Sequence, residues 1–300
     1  MIISRYFNYF IVFSFIGWLY ECTYCTINTK HWQNRGFLFG PICPIYGTAV
    51  LCGIFLFGDL PQLLNMSGSG SGLMSFLTDL PWWGIFLVSM ILSAIIEYVT
   101  SFLLEKRFHA RWWDYSEMPL NINGRICLPA SLGFGAAGVV IVEWILPIVM
   151  TERSNVHPLV TEGLSLGFML IFGMDMAMTL ASLSSMLDKL ESMQNEFDRR
   201  MENGYQIASE GPAAIAEAAG NATQKAAEAA GAKAEKWRER AGSFVKGLTD
   251  SERYHVRNIR IYKGTKKALP HKMDPARLFS GVQERLSRIK IKGDDSEEKR

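Results

Sequence analysis

WWGIFLVSMILSAIIEYVTSFLL, residues 82–104, decides the class of fold. Its only charged side chain is Glu97. At about 1.5 Å per helical residue, the stretch is long enough to cross a bilayer core of roughly 30 Å. The pair Trp82-Trp83 opens it, as aromatic residues do at a membrane interface. Runs of the same kind lie at about 5–27, 41–58, 129–150 and 162–184. Together they predict an all-α, polytopic membrane helix bundle of five spans. The run at 5–27 is too long for a cleavable signal, and no small-residue cleavage site follows it. Pro41, Pro44 and Gly47 make the second run one that enters as a bent or re-entrant segment.

Charge divides the chain. Residues 1–184 hold 8 Lys+Arg and 11 Asp+Glu, whereas residues 185–300 hold 23 and 18. The expected organisation is a transmembrane domain at 1–184, a helical Ala-rich linker at 185–250 and a basic tail at 251–300. Lys30 and Arg35 follow the first run; Lys106, Arg107, Arg111 and Arg125 follow the third. The segment 59–81 has no Lys or Arg, and the segment after the fourth run has Arg153 alone. Basic residues collect on the cytoplasmic side, so the bias predicts an outer N-terminus and a cytoplasmic C-terminus. The loop Met66–Leu73, MSGSGSGL, reads as flexible.

Helices one and two echo helices three and four. Glu21 is followed by His31-Trp32 and then by Ile42-Cys43-Pro44. Glu97 is followed by His109 and Trp112-Trp113, and then by Ile126-Cys127-Leu128-Pro129. A repeat of 5–58 and 82–150, running in the same direction, would place a site between the copies.

Four acids lie in apolar runs: Glu21, Glu97, Glu143 and Asp175. A charge at mid-bilayer costs at least about 2.5–3.5 kcal/mol, so such residues generally face the bundle interior or a water cavity. The functional reading is a proton, cation or substrate site, with Glu21 and Glu97 foremost. The plainer reading is a set of paired or protonated acids that hold helices together. Arg35, His109, Arg111 and Arg125, beside Trp32, Trp112 and Trp113, suit an anionic head group, phosphate or carboxylate. They suit topology anchoring equally well, and Asp114 is expected to pair with Arg111 or Arg125.

Cys22 and Cys25 form a C-x-x-C, but at a helix end and without a second pair. Packing fits them better than redox chemistry or a metal. No metal or cofactor is expected. Gly133, Gly135 and Gly138 read as small-residue helix packing. The chain has no G-x-x-x-x-G-K-[ST], so it carries no P-loop ATPase of its own. G-x-S-x-G and H-E-x-x-H are also absent.

Beyond the fifth run, Leu187, Leu190, Met193, Phe197 and Met201 continue at helical spacing until Gly204 and Gly211-Pro212. Residues 216–226, AEAAGNATQKA, nearly repeat as 227–237, AEAAGAKAEKW, an Ala-rich face that buries little. Residues 251–292 hold 12 Lys+Arg against 3 Asp+Glu, with Tyr254, Tyr262, Leu278, Phe279 and Leu286 between them. Such a segment fits anionic lipid rather than nucleic acid, or else is a solvated charged tail.

Four strings are distinctive: Gly17-Trp18-Leu19-Tyr20-Glu21, Arg35-Gly36-Phe37-Leu38-Phe39-Gly40-Pro41-Ile42-Cys43-Pro44-Ile45-Tyr46-Gly47, His109-Ala110-Arg111-Trp112-Trp113-Asp114-Tyr115-Ser116, and Asn121-Ile122-Asn123-Gly124-Arg125-Ile126-Cys127-Leu128-Pro129-Ala130-Ser131. Over about residues 5 to 150, with a fainter reach to 184, the chain resembles the bacterial family called putative ABC-transporter type IV, or CmpB-like putative ABC transporter permease. The resemblance implies a multi-pass protein of the bacterial cytoplasmic membrane. Three functions stand as expectations. The first is a permease-like subunit moving a small solute or lipid with a separate ATPase, Glu21 and Glu97 lining its site. The second is a membrane enzyme acting on a lipid head group, with the Glu pair as acid or base and Arg35 and Arg125 as clamps. The third is a scaffold that recruits partners through the basic tail. Expected partners are the bilayer, an ATPase subunit, anionic lipid at the tail and further copies of the chain.

Overall fold

The computed structural model describes residues 2–30, 34–66, 80–209, 242–264 and 274–297. Among them, five helices are long and apolar enough to cross a membrane: Ile2–Ile27, Pro44–Leu63, Trp82–Phe108, Leu128–Thr151 and Pro158–Glu196. Leucine, isoleucine, valine and aromatic side chains face outward along them, among them Leu19, Leu87, Ile91, Ile148, Leu166 and Leu170. A water-soluble fold would bury such residues; a multi-pass membrane protein presents them to lipid. His31, Trp32, most of the loop 66–73 and the Ala-rich repeats lie outside the described residues.

Helix α1 spans Ile2–Thr29. The chain then bends through residues 36–41 before helix α2, Pro44–Gly53. The bent entry expected of the second span is therefore present, but it lies outside the helix, which begins at Pro44 and not at 41. Pro44 stands in the first turn, where a missing N–H leaves no helical bond unmade. Helices α1 and α2 lie against each other through glycines. A Cβ on Gly17 would collide with the Tyr46 ring, and one on Gly47 with the Ser14 hydroxyl and the Phe10 carbonyl.

The span does not end with α2. It passes through a π-helical stretch, π1 (Ile54–Asp59), into α3 (Leu60–Met66). The Leu60 N–H bonds back five residues to the Phe55 carbonyl. Pro61 comes next; a proline cannot complete an α ladder, and the wider turn accommodates it. Asp59, inside the apolar run, takes the Tyr6 hydroxyl of α1.

Helix α4 is Trp82–Phe108. After it come β1 (Ala110–Arg111) and the short hairpin β2 (Asn121–Ile122) and β3 (Ile126–Cys127), paired Asn121 with Cys127 and Ile122 with Ile126. These strands are a small addition to the all-α fold expected. The fourth span repeats the plan of the second: α5 (Leu128–Val140), π2 (Ile141–Ile145) and α6 (Leu146–Asn155). Cys43 and Cys127 are both N-caps with a proline in the first helical turn. Both π stretches lead into Leu-Pro, Leu60-Pro61 and Leu146-Pro147. They pack in one core in which Ile54 and Val50 meet Leu146, Val149 and Phe13. Gly135 abuts Phe86 and Met90, and Gly138 abuts Ser89, as small-residue packing requires. Gly133 does not; a Cβ there would meet open space.

Helix α7 runs from Pro158 to Ser209 and passes Gly204 without a break. One glycine costs a helix only about 1 kcal/mol, which the neighbouring turns sustain. Residues 1–107 and 111–179 belong to one compact unit; residues 108–110 and 180–300 form a second.

The second unit has a core of its own. Helix α8 (Asp250–Asn258), strand β4 (Ile261–Tyr262) and helix α9 (Pro275–Glu297) bury Val256, Ile259, Tyr262, Phe279, Val282 and Leu286. Thr249 and Glu252 cap α8 reciprocally. The basic segment at 251–292 is thus not only a charged tail. Of its interleaved apolar residues, Tyr262, Leu278, Phe279 and Leu286 are buried.

Candidate functional site

Two glutamates of the first unit lie near each other. Glu21 lies in α1, and Glu97 lies in α4 with 5% of its surface exposed. They are close enough for each charge to act on the other. Each is held by a tyrosine. The Tyr46 hydroxyl, from the first turn of α2, donates to Glu21 Oε2 at 2.8 Å. The Tyr115 hydroxyl donates to Glu97 Oε1 at 3.0 Å. Glu97 Oε2 is buried and, among the described residues, has no hydrogen-bond partner. Among the described residues no Lys, Arg or His forms an ion pair with either carboxylate.

Tyr115 stands outside the spans. Burial first, and then the Glu97 carboxylate beside it, push its phenol well above the usual range, so it stays a donor. The loop that carries it is bonded to itself. Asn123 and Gly124 both have positive φ, 54° and 66°, the conformation an Asn-Gly turn adopts most readily. The turn brings the Gly124 carbonyl to the Tyr115 N–H at 2.9 Å. Trp113 Nε1 donates to the Arg125 carbonyl at 2.9 Å.

The basic residues divide. Arg111 and Arg125 are buried, 8% and 7% exposed, and both bind the carboxylate of Glu105 in the last turn of α4. The Arg125–Glu105 distance is 3.0 Å. The Arg125 guanidinium also lies over the Tyr98 and Phe102 rings, 5.5 Å from each centroid, and reaches Ser101 Oγ at 3.3 Å. Their charge is therefore taken up within the protein. Asp114, expected to be their partner, instead accepts from Ser116 N and Oγ, at 3.1 and 2.6 Å. A short step along the chain favours that local turn over a reach to either arginine. Arg35 forms no ion pair among the described residues; its backbone N–H donates to Cys22 Sγ at 3.4 Å. His109 lies in the second unit, where its carbonyl accepts the Lys263 N–H at 2.8 Å.

Two acids fall away from the pair. Asp175 in α7 accepts the backbone N–H groups of Phe39 and Gly40, at 3.2 and 3.0 Å, and so fastens the bend before α2. Glu143 is on the exposed side of π2, not in the bundle interior. A π turn takes an extra residue into one turn, so a face counted at 3.6 residues per turn goes astray there. All five cysteines are free, and among the described residues no group of three or more His, Cys, Asp or Glu side chains can hold a metal.

Sequence reasoning missed Tyr46, Tyr115 and Glu105. Both tyrosines sit inside the distinctive strings that carry the family resemblance, which is the signal that could have marked them. Glu105 adjoins Lys106 and Arg107 and reads as an ordinary helix end.

The profile of a family described as putative ABC-transporter type IV matches residues 8–180. The match covers the whole of the paired-glutamate site. No curated protein and no solved structure matches the chain.

Proposed function

Since the chain belongs to the putative ABC-transporter type IV family, we propose that it is the membrane-embedded, permease-like part of a transporter that works with a separate ATPase. The observation that supports this reading is the buried pair Glu21 and Glu97. The two come from different spans, lie within reach of each other's charge and form no ion pair among the described residues. Glu105, by contrast, is balanced by Arg111 and Arg125. Acids left uncompensated inside a membrane bundle are a mark of a solute or ion path.

In this reading the N-terminus is outside and the second unit is cytoplasmic, as the placement of Lys and Arg favours. Exposed Arg257, Arg260, Lys263 and Arg277 then carry positive charge that suits anionic lipid. The shared plan of the second and fourth spans supports two parallel copies, with the glutamates at their junction. An ATP-driven cycle needs an enzyme this chain lacks, so the partner must supply the P-loop.

The test is gentle purification of the full chain from native membranes. A P-loop ATPase recovered in fixed proportion is the expected result. Its absence, with the membrane protein intact and monodisperse, overturns the coupling to ATP.

A further inference from the structure

Resting on the transporter reading, the geometry points to the class of its cargo: we propose that Glu21 and Glu97 bind the ammonium end of an organic cation. Three observations converge. The carboxylates lie within reach of each other's charge and neither forms an ion pair among the described residues. Glu97 Oε2 is an acceptor in a residue 5% exposed, and no described residue donates to it. A buried acceptor without a donor is costly, and an incoming N–H or cationic group relieves it.

The third observation selects the kind of cation. Both acids are held by aromatic side chains. Tyr46, which donates to Glu21, has Tyr20 at 6.1 Å and Phe134 at 6.2 Å from its ring, and Tyr115 donates to Glu97. Aromatic side chains gathered near an anionic site favour alkylammonium groups, whose charge is spread over C–H surface. A hard metal ion would instead need about six oxygen ligands. Tyr20 and Tyr24 are stacked and each 56% exposed, so the aromatic set opens onto the outer surface of α1. An ammonium group can arrive there as a free amine or on a lipid.

The probe is choline chloride, added to the purified full chain in detergent without any ATPase and followed by ligand-observed NMR. Saturable binding is expected, displaced by tetramethylammonium but not by sodium at equal ionic strength. Glu21→Gln and Glu97→Gln should each weaken it about tenfold or more, and Glu143→Gln should not. Displacement by sodium, or full binding in the double Glu21→Gln, Glu97→Gln variant, overturns the site. If either variant fails to fold, the competition series on the unaltered chain decides alone. Displacement by a short-chain phosphatidylcholine supports the site and assigns a lipid source; indifference to it, with choline still bound, supports the site and assigns a free amine. Choline binding without an ATPase partner removes the ATP-coupled reading and keeps the site. An ATPase partner without choline binding does the reverse.

Discussion

Glu97 holds the Tyr115 hydroxyl on one carboxylate oxygen, at 3.0 Å, and leaves the other oxygen buried and unbonded. The glutamate comes from a span and the tyrosine from the loop after it. Removing the hydroxyl alone therefore separates the loop's grip from the carboxylate's charge. Tyr115→Phe is expected to cost about 1–3 kcal/mol of stability, because a second buried acceptor loses its donor. Thermal unfolding in detergent measures it. An unchanged midpoint would mean the contact carries no weight.

Glu105 balances two buried guanidinium groups at once. Glu105→Ala should destabilise the first unit by about 3–5 kcal/mol or more, since Arg111 and Arg125 would remain buried without an anion. Asp114→Ala, which breaks a local turn, should cost nearer about 1 kcal/mol. Equal effects in the same unfolding assay would contradict the ranking.

Asp175 ties α7 to the bend before α2 through two backbone N–H groups, with Thr179 Oγ1 a further 3.3 Å acceptor for Phe39. Asp175→Ala should leave those amides to exchange with solvent much faster. Hydrogen exchange over residues 36–43 reads this directly. Protection unchanged from the parent would show that the loop is held by packing of Leu38 and Ile42 alone.

In the second unit, burial tends to raise the Glu252 carboxyl, but Lys189, the Thr249 N–H and Ser185 outweigh it and hold it below the ordinary value. Lys189 Nζ is 2.7 Å away. A carboxylate lowered on folding adds stability above its unfolded value, about pH 4.3, and that stability is lost as pH falls through the folded value. Exchange protection in 250–262 should therefore weaken below about pH 4, and in Glu252→Gln this step should be missing. A step of the same size in the variant would assign it to another acid.

The spans were legible because a bilayer imposes a length and a composition that short-range reading detects. Even Asp175 did not hide the fifth helix. The partners of the acids were not legible, since each is a long-range fact. Nothing near Asp175 in sequence reveals that Phe39 and Gly40 need acceptors. Nothing near Tyr115 reveals that it meets Glu97. The pairing of Glu21 with Glu97 was suggested by their matching places in two similar stretches, which is a topological clue and not a local one. In the second unit the apolar residues Leu278, Phe279 and Leu286 were visible, but charge around them favoured a lipid-binding reading over a packed core.

The two π stretches have a genetic consequence. Each helix there carries a residue more than an α turn would hold. Losing one codon within 54–59 or 141–145 would let the helix close into ordinary α turns. Everything beyond would then keep its direction about the helix axis, because the wide turn spends its extra residue on the same full rotation. The same loss in an ordinary α stretch would swing the remainder by about 100°. A codon lost within 141–145 would therefore leave Leu146 and Met150 aimed at Gly58, where they now lie.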